Sequence, residues 1–228
     1  MPASITYTER CLYTMNKDLL ESVQKFARKH FNNSQVSHAW DHTLRVYRLC
    51  ERIGSREGAD MSVLLAAAYL HDIGRAGQDA SNGAMCHAQE GARIASPFIE
   101  GLPVSRNRKE NIIHCIKAHR YRGNQGPKSL EAKVLFDADK LDAIGAIGIA
   151  RAYLFAGEIG ARLHSPEVKV EESRPYSEND TGFREYRVKL CRIRDRMLTE
   201  EGRCLADARH SFMEDFFKRF IKEYAGKE

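Results

Sequence analysis

Residues 61–72, MSVLLAAAYLHD, constrain the fold more than any other segment. They are apolar on nearly every helical face and then end in the consecutive pair His71-Asp72. A helix that is apolar all round has no side to give to water, so it belongs at the centre with other helices packed about it. It is far shorter than the roughly 20 apolar residues a bilayer span needs, and no other apolar run approaches that length. A charged Asp at the end of such a helix is costly unless it is paired or bound to a metal. The negative end of the helix dipole also favours a cation there. From these two residues alone, a hydrogen-bonded pair closing the helix and a metal site are equal readings.

The surrounding chain supplies the helices that a buried centre demands. Residues 16–31 carry Leu19, Leu20, Val23, Phe26 and Ala27 at helical spacing, with Asn16 placed to cap them. Residues 39–53 form a second helix, which Gly54 helps to end. Gly74 and residues 76–83 read as a loop. Helices follow over 86–100, closed by Gly101 and Pro103, and over 105–119, opened by Ser105. Residues 120–129 are a polar, Gly-containing loop, and 130–156 are one long helix in which Gly145 and Gly148 allow close packing. Residues 157–182 have little periodicity and form a long connection of the kind that often serves as a lid. Residues 183–199 and 200–225 read as two final amphipathic helices. There is no convincing strand, repeat or low-complexity tract, so the expected class is all-α. Its 228 residues suit one compact domain, with a core at about 20–155, a lid at 157–182 and C-terminal helices at 183–225.

Composition excludes several function classes. The balance of 36 Lys and Arg against 31 Asp and Glu leaves a charge of +5. This favours an anionic substrate but is too weak and too evenly spread for nucleic-acid binding. The densest basic stretch, Arg184 to Arg196, is interrupted by Glu185 and Asp195 and reads as a solvated face. The six cysteines form no C-x-x-C and lie in apolar segments, where a free thiol acts as a small hydrophobe in a reducing compartment. The first 14 residues hold no apolar stretch long enough for the signal expected of a secreted chain. The expectation is a cytoplasmic protein without a membrane partner, able to form a homo-oligomer.

Histidines and acids recur at helical spacings. His38, His42 and Arg45 share a face, as do His87 and Glu90, and Asp139 and Asp142. His114 and His119, five apart, do not both face one site. Each of these taken singly suits a hydrogen-bonded structural role at least as well as ligation.

Three motifs taken together, HTLRV (42–46), AAYLHDIG (67–74) and ADKLD (138–142), resemble the HD superfamily of metal-dependent phosphohydrolases, with its H…HD…D pattern. The resemblance covers about residues 20–155. The tail TEEGRCLADARHSFMEDFFKRF is similar to that of a bacterial subfamily of uncharacterised HD hydrolases. It implies that His42, His71, Asp72 and Asp139 bind a divalent metal. Mixed imidazole and carboxylate ligands accept Mn, Fe, Ni, Co, Zn or Mg without choosing among them. The segment HAQEGARIA (87–95) resembles the part of binuclear HD proteins that supplies a third histidine, and His119 falls where a fourth lies. His87 and His119 therefore decide between a second metal and a phosphate contact. The GYP motif of cyclic-dinucleotide phosphodiesterases is absent.

The activity this implies is hydrolysis of a nucleotide or other small phosphate ester through a metal-activated water. Asp72, Arg45 and Lys140 are the candidate catalytic residues, with Arg45 as phosphate clamp. Glu90 and Asp142 are candidates to orient a ligating histidine. Arg75 and Arg120 border the site loops, where a surface role is equally acceptable. The alternatives are a di-iron oxygenase built on His42, His71, Asp72, His87, His119 and Asp139, and a non-catalytic nucleotide or metal sensor.

Overall fold

The computed structural model describes residues 7–31, 40–81, 84–120 and 126–228. Every regular element among them is helical, so the class is all-α as expected. The chain divides into two compact units at Phe136 and Asp137, a boundary that falls inside one helix.

The first unit contains α1 (Tyr7–Arg28), α2 (Trp40–Glu57), α3 (Met61–Leu70), α4 (Arg75–Ala80), α5 (His87–Glu100) and α6 (Arg106–Ala118), and α7 (Leu130–Leu141) begins in it. As its composition requires, α3 is the centre: residues 63–70 are all buried, and α1, α2, α5 and α6 pack against it. Asp60 caps its start by accepting hydrogen bonds from the Ser62 and Val63 amides. The Asp60 amide donates to Glu131 Oε1 at 2.8 Å, and Asn111 Nδ2 donates to Glu131 Oε2 at 2.9 Å, so one carboxylate ties α3 to α6 and α7. Tyr69 is stacked against Trp40 and Tyr47, which fixes the rotation of α2 on α3.

The structure departs from several local expectations. Helix α1 begins at Tyr7, so Asn16 lies inside it rather than at its cap. Helix α2 runs through Gly54, which is buried because the Leu64 and Met61 side chains fill the space a Cβ would need. The glycine past its end is Gly58, whose φ of 77° is one L side chains rarely adopt. Residues 76–80, expected as loop, lie in the short helix α4.

The second unit, residues 137–228, holds the end of α7, then α8 (Gly145–Glu158), α9 (Gly182–Val188), two 3-10 turns (Leu190–Arg192 and Arg194–Arg196) and α10 (Glu200–Tyr224). The expected helix over 130–156 is two helices, because Ile144 is extended and Gly145 has a φ of 76°. The expected helix over 183–199 ends at Val188 and continues only as the 3-10 turns. Asp137 accepts from the Leu198 and Thr199 amides and the Thr199 hydroxyl, at 2.6–3.1 Å, and so anchors the start of α10. Residues 159–181 form no helix. They are held by Arg184, which donates to Ser173 and Asp180, and with the start of α9 they enclose a cavity of about 190 Å³.

Candidate metal centre

Helix geometry delivers four imidazoles to one buried carboxylate. His71 and Asp72 follow the last turn of α3, and His119 follows the last turn of α6. His42 lies in the first turn of α2, and His87 opens α5. All five residues lie in the first unit and are no more than 4% exposed.

The Nε2 atoms divide between the two oxygens of Asp72. On the Oδ2 side, His42 Nε2 lies at 3.8 Å and His71 Nε2 at 4.0 Å, and these two nitrogens are 3.3 Å apart. On the Oδ1 side, His87 Nε2 lies at 3.2 Å and His119 Nε2 at 3.7 Å, with 3.1 Å between them. Two metal-type triads therefore share Asp72: His42, His71 and Asp72, and Asp72, His87 and His119. Two ligands about 2.0–2.1 Å from a metal, separated by roughly 90–110°, stand about 3.0–3.4 Å apart. Both histidine pairs meet that spacing.

The outer ring nitrogens explain the orientation. His71 Nδ1 lies 2.8 Å from Ala68 O, and His119 Nδ1 lies 2.7 Å from Ile116 O. Both acceptors are last-turn carbonyls that lack a partner within the helix. His87 Nδ1 lies 2.9 Å from Gln78 Oε1, which also accepts from Arg120 at 2.7 Å. An imidazole that donates through Nδ1 presents a lone pair at Nε2. Lone pairs facing one another across 3.1 Å are what a cation between them resolves, so this donor set fits a metal.

Electrostatics point the same way. Burial by itself raises the Asp72 carboxyl, but the neighbouring His71, His119, Arg75 and His87 together hold it well below the usual carboxylate range. Burial pushes the His87 imidazole down to about 2, against the pull of Asp72 and with His119, Arg75 and Arg120 adding to the fall. Both groups are thus held in the deprotonated form that ligation requires.

Of the remaining candidates, Arg75 reaches the cluster. Arg75 donates to both oxygens of Asp72, at 3.1 and 3.3 Å. Arg45 is half-buried on α2. Glu90 is turned to Arg93, at 2.6 and 2.8 Å, and the side chain that stands beside His87 Nδ1 is Gln78. Asp139 and Lys140 form an ion pair of 2.6 Å in the second unit, where Asp142 pairs with Arg151 at 2.8 Å. His114 stays out of the cluster and accepts from the Lys128 amide at 3.0 Å. His38 lies outside the described residues. Gln78 was missed because its residue type carries no signal and its segment reads as loop.

The helical fold and the shared-carboxylate cluster define a metal-dependent hydrolase of the HD superfamily, and the chain belongs to the HD domain family, whose model matches residues 39–144. Among its relatives, the uncharacterized protein YpgQ of Bacillus subtilis is 30% identical over 214 residues, covering 90% of this chain and 94% of YpgQ. A crystal structure of YpgQ in complex with ADP matches with a TM-score of 0.68 at 28% identity, over 92% of this chain and 96% of that one. An HD-superfamily hydrolase from Bacillus thuringiensis matches with a TM-score of 0.73 at 27% identity, over 92% and 98%. A Sulfurovum ribonuclease Y is 29% identical over 132 residues, which are 58% of this chain but only 23% of that protein. No helix among the described residues is long and apolar enough to cross a membrane.

Proposed function

We propose that this protein hydrolyses a phosphate ester or anhydride of a small nucleotide, with two divalent metal ions that His42, His71, Asp72, His87 and His119 would hold. The observation that carries the proposal is the division of four Nε2 atoms into two pairs, one for each oxygen of Asp72. His42 and His71 would hold one ion, His87 and His119 the other, and Asp139 would complete the first set, as the family pattern implies. A bound divalent metal lowers the pKa of a water ligand and stabilises charge on a phosphoryl oxygen.

The chain's own groups do the rest. Asp72, ionised and buried, supplies the negative charge that concentrates cations at the site. Arg75 touches Asp72 and keeps a buried Nε with no hydrogen-bond partner, which makes it a second candidate phosphate clamp beside Arg45. Lys140 neutralises and orients the Asp139 carboxylate. A nucleotide is favoured because YpgQ, alike over nearly its whole length, has been crystallised with ADP. Ribonuclease Y is matched over less than a quarter of its length, and RNA cleavage is not carried over from it.

The test is a screen of nucleoside mono-, di- and triphosphates and small phosphate esters with Mn, Mg, Co and Ni added singly. The wild type should release phosphate or pyrophosphate, and the His71→Ala, Asp72→Ala double variant should lose both metal and activity. Full metal content in that double variant would sink the proposal. Oxygen uptake by iron-loaded protein, without phosphate release, would instead favour a di-iron oxygenase.

A further inference from the structure

His71, His119 and His87 each have a partner for Nδ1, and His87 obtains its partner differently from the other two. His71 and His119 each follow a helix, so a carbonyl three residues back is free to receive the Nδ1 proton. His87 is the first residue of α5 and has no helical turn behind it. Its acceptor is a side chain on α4, Gln78.

A primary amide is an ambiguous partner. It offers an oxygen or an NH2 group according to a half-turn of its last bond, and the two faces select opposite histidine tautomers. Arg120 removes the ambiguity. A guanidinium only donates, so its NH1, 2.7 Å from Gln78 Oε1, admits the oxygen and excludes the NH2 group. The oxygen then stands 2.9 Å from His87 Nδ1 and can only accept the proton there.

We infer that Gln78 and Arg120 are positioning residues for this site: Arg120 sets the orientation of the Gln78 amide, and Gln78 holds His87 in the tautomer whose Nε2 lone pair faces Asp72 and His119. The role of this relay in metal binding rests on the proposed function, but the tautomer itself does not. Losing such an outer partner typically weakens metal affinity 10–100-fold. Here the loss should fall on the His87–His119 side alone, because the acceptor of His71 is backbone and survives any substitution at these two positions.

The experiment uses the full chain, stripped of metal, with isotope-labelled histidine and long-range proton–nitrogen correlation NMR. His87 should appear with its proton on Nδ1 and none on Nε2. In Arg120→Leu the amide is free to turn, and an Nε2-protonated form of His87 should appear while the His71 signals stay in place. Gln78→Leu should also lose the single tautomer, and Gln78→Glu, which keeps an acceptor, should restore it. Titration with Co alone should show one of two sites weakened about 10–100-fold in Gln78→Leu and restored in Gln78→Glu. An Nε2-protonated His87 in the wild type, or an unchanged tautomer in both Arg120→Leu and Gln78→Leu, would overturn the inference. A wild type that holds Nδ1–H but takes up no metal would refute the proposed function and leave the relay standing.

Discussion

His87 and His119 face each other through Nε2 atoms 3.1 Å apart, while their Nδ1 atoms are occupied by Gln78 Oε1 and Ile116 O. In the neutral state neither facing nitrogen has a proton to offer the other. The contact is therefore a cost in the metal-free protein and a gain once a cation lies between the two rings.

Metal should accordingly stabilise the fold strongly. A ligand that binds only the native state at about 100 times its dissociation constant adds roughly 2.7 kcal/mol. Calorimetry should show the unfolding temperature rising with added Mn or Co and falling when a chelator is added. His87→Ala should lose part of that rise, and Asp72→Ala nearly all of it.

The metal-free protein should be labile in acid, and the sign follows from both groups. His87 titrates at 6.5 when unfolded and at about 2 when folded, so between these values the unfolded chain binds the extra proton. Asp72, depressed from 3.8, adds in the same direction below that value. Stability is therefore fully present above about pH 6.5 and is lost as the pH falls, with a slope of up to about 1.4 kcal/mol per pH unit for each proton. Urea unfolding of chelated protein from pH 8 to 4 should show this decline, and His87→Asn should flatten its upper part.

Gly74 should resist substitution. A Cβ there would strike the backbone of His87 and Gly91, where α5 crosses the turn after α3. Backbone cannot step aside as a flexible side chain does, so Gly74→Ala should cost about 1–3 kcal/mol in chemical denaturation. It should also lower metal uptake, because the displaced element carries His87.

Arg75→Met should separate binding of substrate from binding of metal. Hydrogen bonds to charged groups contribute about 1.5–3 kcal/mol, so KM for the phosphorylated substrate should rise roughly ten- to a hundredfold. Metal content should remain at the wild-type value, since all four imidazoles persist.

The helical class and the central position of α3 were legible because an all-apolar helix permits no other placement. His42, His71 and Asp72 were legible from short motifs whose order matters, and His87 and His119 from their neighbours. Gln78 was not, because a six-residue helix shows no apolar period and a glutamine becomes an orienting group only through Arg120, 42 residues away. The break in residues 130–156 was also hidden, since the apolar pattern runs on past Gly145 and a left-handed backbone angle leaves no mark on periodicity. Asp137 lay unremarked beside Asp139 and Asp142, because its partners at Leu198 and Thr199 are about 60 residues distant.

The central claim is that Asp72 joins two metal sites, and a metal count by elemental analysis tests it most directly. Protein loaded with Mn or Co and freed of excess should carry two ions per chain in the wild type, one in His87→Ala and none in Asp72→Ala. A wild type that holds no metal, or an Asp72→Ala variant that still holds two ions, would contradict the account.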